Sequence, residues 1–310
     1  MEVIEETKEN YTRLLTAPFS VFDRAEFCEL NRNKVDELKY LIFNDGKNRF
    51  ALAAGLRDGV VRLPFSASFS CFSCITKNSK IICYHEAVRA LVEWARQKQC
   101  REIIFSLPPH GYAPTHLTDT YNALWGNGFV LKEIEVNFEY LLDNFRADDY
   151  EMNIDPKARQ KLRAARKNDL HFEKTDDLAT VYDVIRRNRE YRGFPLHMSL
   201  DDVRRTAAVL PADLFLLRDA EGVPAASALI YHVTDSILRV VYWGNTPESE
   251  SLRPMNLMAY EVFRHYKPSP FKMIDIGHST DDSVPNFGLC DFKQSVGCVS
   301  SPKFVFTRSL

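Results

Sequence analysis

No apolar run in this 310-residue chain approaches the roughly 18–20 residues that a membrane-crossing helix needs, so membrane insertion is not expected. The segment from Met1 to Asn10 is acidic and polar, without the basic-then-apolar order of a secretion signal, and a cytoplasmic location is expected. Net charge is scarce too, at −2, which excludes binding of a polyanion by the molecule's overall field. Any attraction for phosphate must come from a local patch. The seven cysteines are an odd number in a chain too long for a disulfide mini-scaffold, so they read as reduced thiols. Cys71 and Cys74 form a C-x-x-C in an apolar, strand-like run. Neither a second pair nor a nearby His completes a zinc set, so packing is expected there and no metal. Glycine is missing from Thr246 to Asn256 and from Pro64 to Ser70. A tight anion-binding nest needs positive-φ positions that glycine adopts at low cost, so neither segment reads as one.

What is present is an ordinary globular composition, 45% apolar and 26% charged. At roughly 150 residues per domain the length implies two domains, read here as 1–145 and 146–310. In the first half, Phe50 to Leu56, the turn Arg57-Asp58-Gly59 and Val60 to Leu63 predict strand–turn–strand. Phe65 to Ile75 follows as an extended, aromatic-rich run. Ala87, Val88, Leu91, Trp94 and Ala95 share one helical face. Glu102 to Leu107 reads as a buried strand, Thr115 to Trp125 as a helix stopped by Gly126, and Val130 to Leu142 as the last strand or strands.

The second half repeats this order. Ser199 caps a short helix, and strands follow at Leu214–Leu217, Ala225–Val233 and Ile237–Trp243. A helix carries Met255, Met258, Ala259, Val262, Phe263 and Tyr266 on one face, then strands are expected at Phe271–Ile276 and Lys303–Thr307. The join falls in the polar stretch Asp143 to Pro156. A meander feeding a helix and a further strand implies an α/β (α+β) fold, each half a mixed, mostly antiparallel sheet flanked by helices.

Four segments carry a family resemblance: the basic run from Ala158 to Lys167, Tyr242-Trp243-Gly244, Asp275-Ile276-Gly277, and Asp291-Phe292-Lys293-Gln294-Ser295-Val296-Gly297. With the duplicated plan, they resemble the Fem-type (FemABX) peptidyl and aminoacyltransferases, which are two tandem GNAT lobes and have many bacterial relatives. The family's closing motif is roughly F-K-x-x-[FV]-G. The resemblance implies N-acyl or aminoacyl transfer to an amine of a cell-envelope or nucleotide-sugar precursor. No tightly bound cofactor is implied; the co-substrate is an acyl-CoA or an aminoacyl-tRNA. Acetyl-CoA-dependent GNAT enzymes carry a glycine-rich turn before the central helix to cradle pyrophosphate. Thr246 to Asn256 departs from that pattern, as Fem-type relatives do.

The candidate catalytic residues are Lys293, Asp275 and His278. The resemblance gives Lys293 the task of stabilising charge on the carbonyl oxygen, against the alternative of a solvated lysine. Asp275 would accept the amine's proton or orient His278 to do so, against the alternative of a carboxylate capping the turn at Gly277. Phe292, Tyr242 and Trp243 would line the pocket or pack in the core, and alternation allows only one of the two strand residues to face it. Arg253, at the start of the central helix, has a fork suited to an anion. Six cations fall between Lys157 and Lys167. On a helix Arg159, Arg163, Arg166 and Lys167 share a face that fits a phosphate-bearing acceptor or a tRNA acceptor end, or is a plain solvated surface. Pro108-Pro109-His110-Gly111-Tyr112 places a second His beside a Gly. A second class of reading is a degenerate lobe pair that binds a nucleotide or carbohydrate precursor without turnover. Neither the oligomeric state nor the donor follows from the sequence.

Overall fold

A computed structural model describes residues 1–77 and 79–310. They divide into two compact units. Unit 1 is Met1–Val136, Thr280–Val284 and Ser301–Leu310; unit 2 is Asn137–Ser279 and Pro285–Ser300.

Unit 1 begins with β1 (Glu2–Glu6), α1 (Lys8–Leu14) and α2 (Ala25–Leu30), then the antiparallel meander β2 (Glu37–Asn44), β3 (Asn48–Arg57) and β4 (Val60–Leu63). Asp58 and Gly59 turn the β3–β4 hairpin with φ of 54° and 69°, a conformation that suits Asp and Gly. The expected extended run Phe65 to Ile75 pairs only as the two-residue β5 (Ser73–Cys74) against β3, while Phe69, Cys71 and Phe72 turn into the core. Helix α3 (Ile81–Gln97) buries Ala87, Val88, Leu91, Trp94 and Ala95, the face read from the sequence. It is the crossover that makes β6 (Glu102–Ser106) parallel to β4. Helix α4 (Pro114–Gly126) leads to β7 (Val130–Leu141).

Unit 2 repeats the plan. Helix α5 (Pro156–Arg166) is capped by the Asp155 side chain and has Pro156 in its first turn. After β8 (His171–Thr175), α6 (Leu178–Arg192) and α7 (Leu200–Ala207), the meander β9 (Ala212–Arg218), β10 (Pro224–His232) and β11 (Ile237–Asn245) feeds α8 (Pro254–Tyr266). Strand β12 (Met273–His278) then runs parallel to β11. The short β13 (Thr280–Asp281) and β14 (Val284–Pro285) precede α9 (Phe287–Ser295) and β15 (Val299–Ser309). The Ser199 cap is present as a reciprocal Ser199–Asp202 box.

The closing strands depart from two simple halves divided after residue 145. Strand β15 pairs β6 in unit 1, with Val305 opposite Ser106 and Ser309 opposite Glu102. The end of β7 pairs β12 in unit 2, from Met273–Leu141 to His278–Asn137. Each unit thus takes its last antiparallel strand from the other half of the sequence. Packing accounts for the choice: Phe306 of β15 joins the unit 1 core, and Tyr140 of β7 stacks on Phe263 of α8 at 3.7 Å between ring centroids. The segment Phe292 to Gly297, for which no element was read from the sequence, is mostly helical, being the end of α9 and its exit turn. Among the described residues, no helix is long and apolar enough to cross a membrane.

Candidate active site in unit 2

Strand β12 reads Met-Ile-Asp-Ile-Gly-His, and its middle is fully buried. Its register against β7 slips between Asp275 and Gly277, forming a bulge. Gly277 has φ of 85°, a conformation that a side chain would strain. The bulge re-aims two carbonyls, as bulges beside functional sites commonly do. Lys293 of α9 fills the space: its Nζ donates to the carbonyl oxygens of Gly277 (2.7 Å) and His278 (3.1 Å) and sits 5.5 Å from the Phe138 ring centroid. Lys293 is 2% exposed. Burial lowers its pKa to about 8, opposed by the Asp275 carboxylate, which favours the cation, and aided by the Arg239 guanidinium. An ammonium has three N–H donors, and two are spent on the bulge.

Asp275 is 0% exposed. Its Oδ1 accepts from Asn137 Nδ2 (2.9 Å) and from the Gly277 amide (2.8 Å), and its Oδ2 pairs with Arg239. The carboxylate thus caps the Gly277 turn, and its oxygens are committed to holding the strand end. Asn137 Nδ2 also lies 3.2 Å from Glu139 Oε2, and both residues are buried. Two acids, Asp275 and Glu139, and two cations, Arg239 and Lys293, therefore lie buried in this unit. Asn137 Oδ1 and Ser279 Oγ are buried there with no hydrogen-bond partner among the described residues. His278 is exposed, and it is its backbone carbonyl that engages Lys293.

The aromatic candidates separate by face. Trp243 meets Phe292 edge-on at 6.0 Å, and both are half-buried, so they form a wall one residue away from Lys293 in the α9 sequence. Tyr242 points to the opposite face, buried beneath the Arg189 guanidinium of α6 at 5.4 Å. Gly244 allows this approach of α6: a Cβ there would come within 2.5 Å of Asn188 Cγ, whose side chain donates to the Asn245 carbonyl.

The arginine candidates lie elsewhere. Arg163 and Arg166 share the carboxylate of Glu151, and Arg166 also lies 4.4 Å over the Tyr260 ring. Arg159 turns the same way, to the Met152 carbonyl at 3.5 Å. The helical face read from the sequence exists, but Glu151 holds two of its arginines. Arg253 is exposed and adopts φ of 58°, so the turn before α8 reaches the left-handed region without a glycine. Sequence reasoning passed over Arg239, Asn137 and Glu139. The signal was there for Arg239: a lone cation inside Ile-Leu-Arg-Val-Val-Tyr-Trp requires a buried acid.

In unit 1, the fold brings His116 between the two cysteines of the C-x-x-C, which the sequence left without a nearby His. Its Nε2 is 3.2 Å from Cys71 Sγ, and its Nδ1 is 3.7 Å from Cys74 Sγ and 2.7 Å from Tyr84 Oη. Among the described residues no group of three ligands is placed to hold a metal. Burial lowers the His116 pKa to about 4, which makes the ring a neutral packing element.

The meander–helix–parallel-strand order, twice over, defines a tandem GNAT-like fold. The comparisons with solved structures agree. FemX matches with a TM-score of 0.73 at 15% identity, over 100% of this chain and 98% of that one. The C-terminal domain of a putative lysylphosphatidylglycerol synthetase from Agrobacterium fabrum matches at 0.64 and 13%, over 98% and 93%. A tandem GNAT protein from the clavulanic acid biosynthesis pathway matches at 0.50 and 13%, over 99% and 98%. No family model and no curated protein matches the sequence.

Proposed function

We propose that this chain is an N-acyltransferase or aminoacyltransferase of GNAT/Fem type, acting by direct transfer to an amine of a cell-envelope or nucleotide-sugar precursor. The fold shared with FemX and the tandem GNAT protein supports the class. The observation that carries the chemistry is Lys293, a buried ammonium anchored by two carbonyls and following, on α9, Phe292 of the Trp243–Phe292 pair. In this reading the acceptor nitrogen attacks the donor carbonyl carbon, and charge builds on the carbonyl oxygen. The remaining Lys293 N–H donates to that oxygen, where a fixed donor in a dry site is worth most. The C–N bond forms as the bond from carbonyl carbon to the donor's thiol or hydroxyl leaving group breaks. The proton lost by nitrogen passes to His278, and from there to the departing sulfur or oxygen. Asp275 keeps Arg239 and the bulge in place and is a positioning residue. The donor is an acyl-CoA or an aminoacyl-tRNA.

The test is to incubate the purified protein with acetyl-CoA, and separately with mixed aminoacyl-tRNA, against amine-bearing peptidoglycan-precursor peptides and UDP-amino sugars. Mass spectrometry reads the acylated product. Lys293→Met is expected to lower turnover by about 10²–10³, the effect of losing one oxyanion donor. Full turnover in that variant removes Lys293 from the chemistry, and absence of product from every donor–acceptor pair removes the transferase reading.

A further inference from the structure

We infer that unit 1 holds a second ligand site, a groove that binds the phosphate or diphosphate group of a small molecule through Arg89, Arg96 and Arg308. The groove has a volume of about 540 Å³ and is also lined by Glu93, Asn127 and Gly128. Arg89, Glu93 and Arg96 stand at i, i+4 and i+7 on α3, one helical face. Arg308 comes from β15, so the strand from the far end of the chain completes the set. Gly128 explains how it fits: with φ of 79° and no side chain, it leaves room for a guanidinium whose Nη1 would lie 3.3 Å from a Cβ there. The same guanidinium lies 6.0 Å from the Phe129 ring centroid.

Charge points to the ligand. Arg163 and Arg166 of α5 share Glu151, and the arginines of α6 and α7 are largely matched by nearby acids. Among the described residues, none of Arg89, Arg96 and Arg308 forms an ion pair within 4.0 Å, and the groove's one acid, Glu93, accepts from Gln97 instead. Burial, and with it the nearby Arg96 charge, lowers the Arg308 pKa. Three cations against one acid leave a surplus that a dianionic phosphate or a diphosphate offsets, and guanidinium forks match phosphate oxygens in pairs. The volume falls within the roughly 300–1,000 Å³ usual for small-molecule pockets, more than a lone phosphate fills, so the group belongs to a larger ligand.

The experiment is calorimetric titration of the whole chain with inorganic pyrophosphate at low salt, beside co-sedimentation with phosphatidylglycerol vesicles. Both are run on wild type, Arg96→Gln/Arg308→Gln, Arg89→Gln, and a Lys157→Gln/Lys161→Gln control on α5, with thermal melting to confirm folding. Saturable pyrophosphate binding that weakens at least about 10-fold in each groove variant but not in the control is expected. Pyrophosphate binding without vesicle binding assigns the phosphate to a soluble ligand. Vesicle binding lost in the groove variants assigns it to a lipid headgroup, and the site stands in both cases. Binding of neither probe, or equal binding by wild type and the double variant, overturns it. None of these variants touches Lys293, so failure here leaves the transferase reading intact.

Discussion

Lys293 was legible in the sequence as the lysine of a short closing motif. What it does there was not, because the lysine's two carbonyl partners lie in another strand and depend on a bulge. Its lowered pKa yields a prediction. A lysine whose folded pKa is about 8, below the ordinary lysine range, leaves the unfolded chain holding more protons between those values. Stability from this group therefore rises as pH rises through that window. The stability of wild type minus that of Lys293→Met, from denaturant melts, is expected to increase between about pH 7 and pH 10 by on the order of 1–3 kcal/mol. A constant difference over that range would contradict a buried, desolvated ammonium. Asp275 was legible as a strand-end carboxylate, and its observed bonding follows the turn-capping reading, with the Arg239 pair added.

Among the elements, periodicity gave the amphipathic face of α3, the cap of α7, the β3–β4 hairpin and the β9–β10–β11 meander, since these depend on residues close in sequence, but it passed over β2. It misjudged Phe65 to Ile75, where aromatic side chains enter the core without the backbone joining a sheet for most of its length. It also gave no element at α9. Gly244 was noticed only as part of a motif; its cause is the approach of α6. Gly244→Ala would place a Cβ 2.5 Å from Asn188 Cγ. That overpacking is expected to cost about 1–3 kcal/mol in chemical denaturation. In an Asn188→Gly background the same substitution is expected to cost clearly less, because all three clashing atoms of Asn188, Cγ, Oδ1 and Cβ, are gone. Equal costs in both backgrounds would place the strain elsewhere.

For the whole molecule, the exchange of closing strands makes the C-terminal segment part of unit 1. Removing Ser301–Leu310 is therefore expected to strip Val305 and Phe306 from unit 1, at roughly 1.5–3 kcal/mol for each fully buried side chain. Hydrogen exchange is expected to accelerate first in β6 and α3, with β11 and β12 retaining their protection. Faster exchange confined to β12 would mean that β15 belongs where two simple halves would put it. The sequence by itself determined the duplicated plan, the amphipathic faces and the lysine-bearing motif, because hydrophobic period and short motifs are local properties. Only the tertiary structure decided which strand closes each sheet, that Glu151 pairs with Arg163 and Arg166 of the basic helix, and that Asn137, Arg239 and Asp275 meet. Those outcomes depend on pairings between residues about 12 to 200 positions apart, for which neither periodicity nor composition carries a signal.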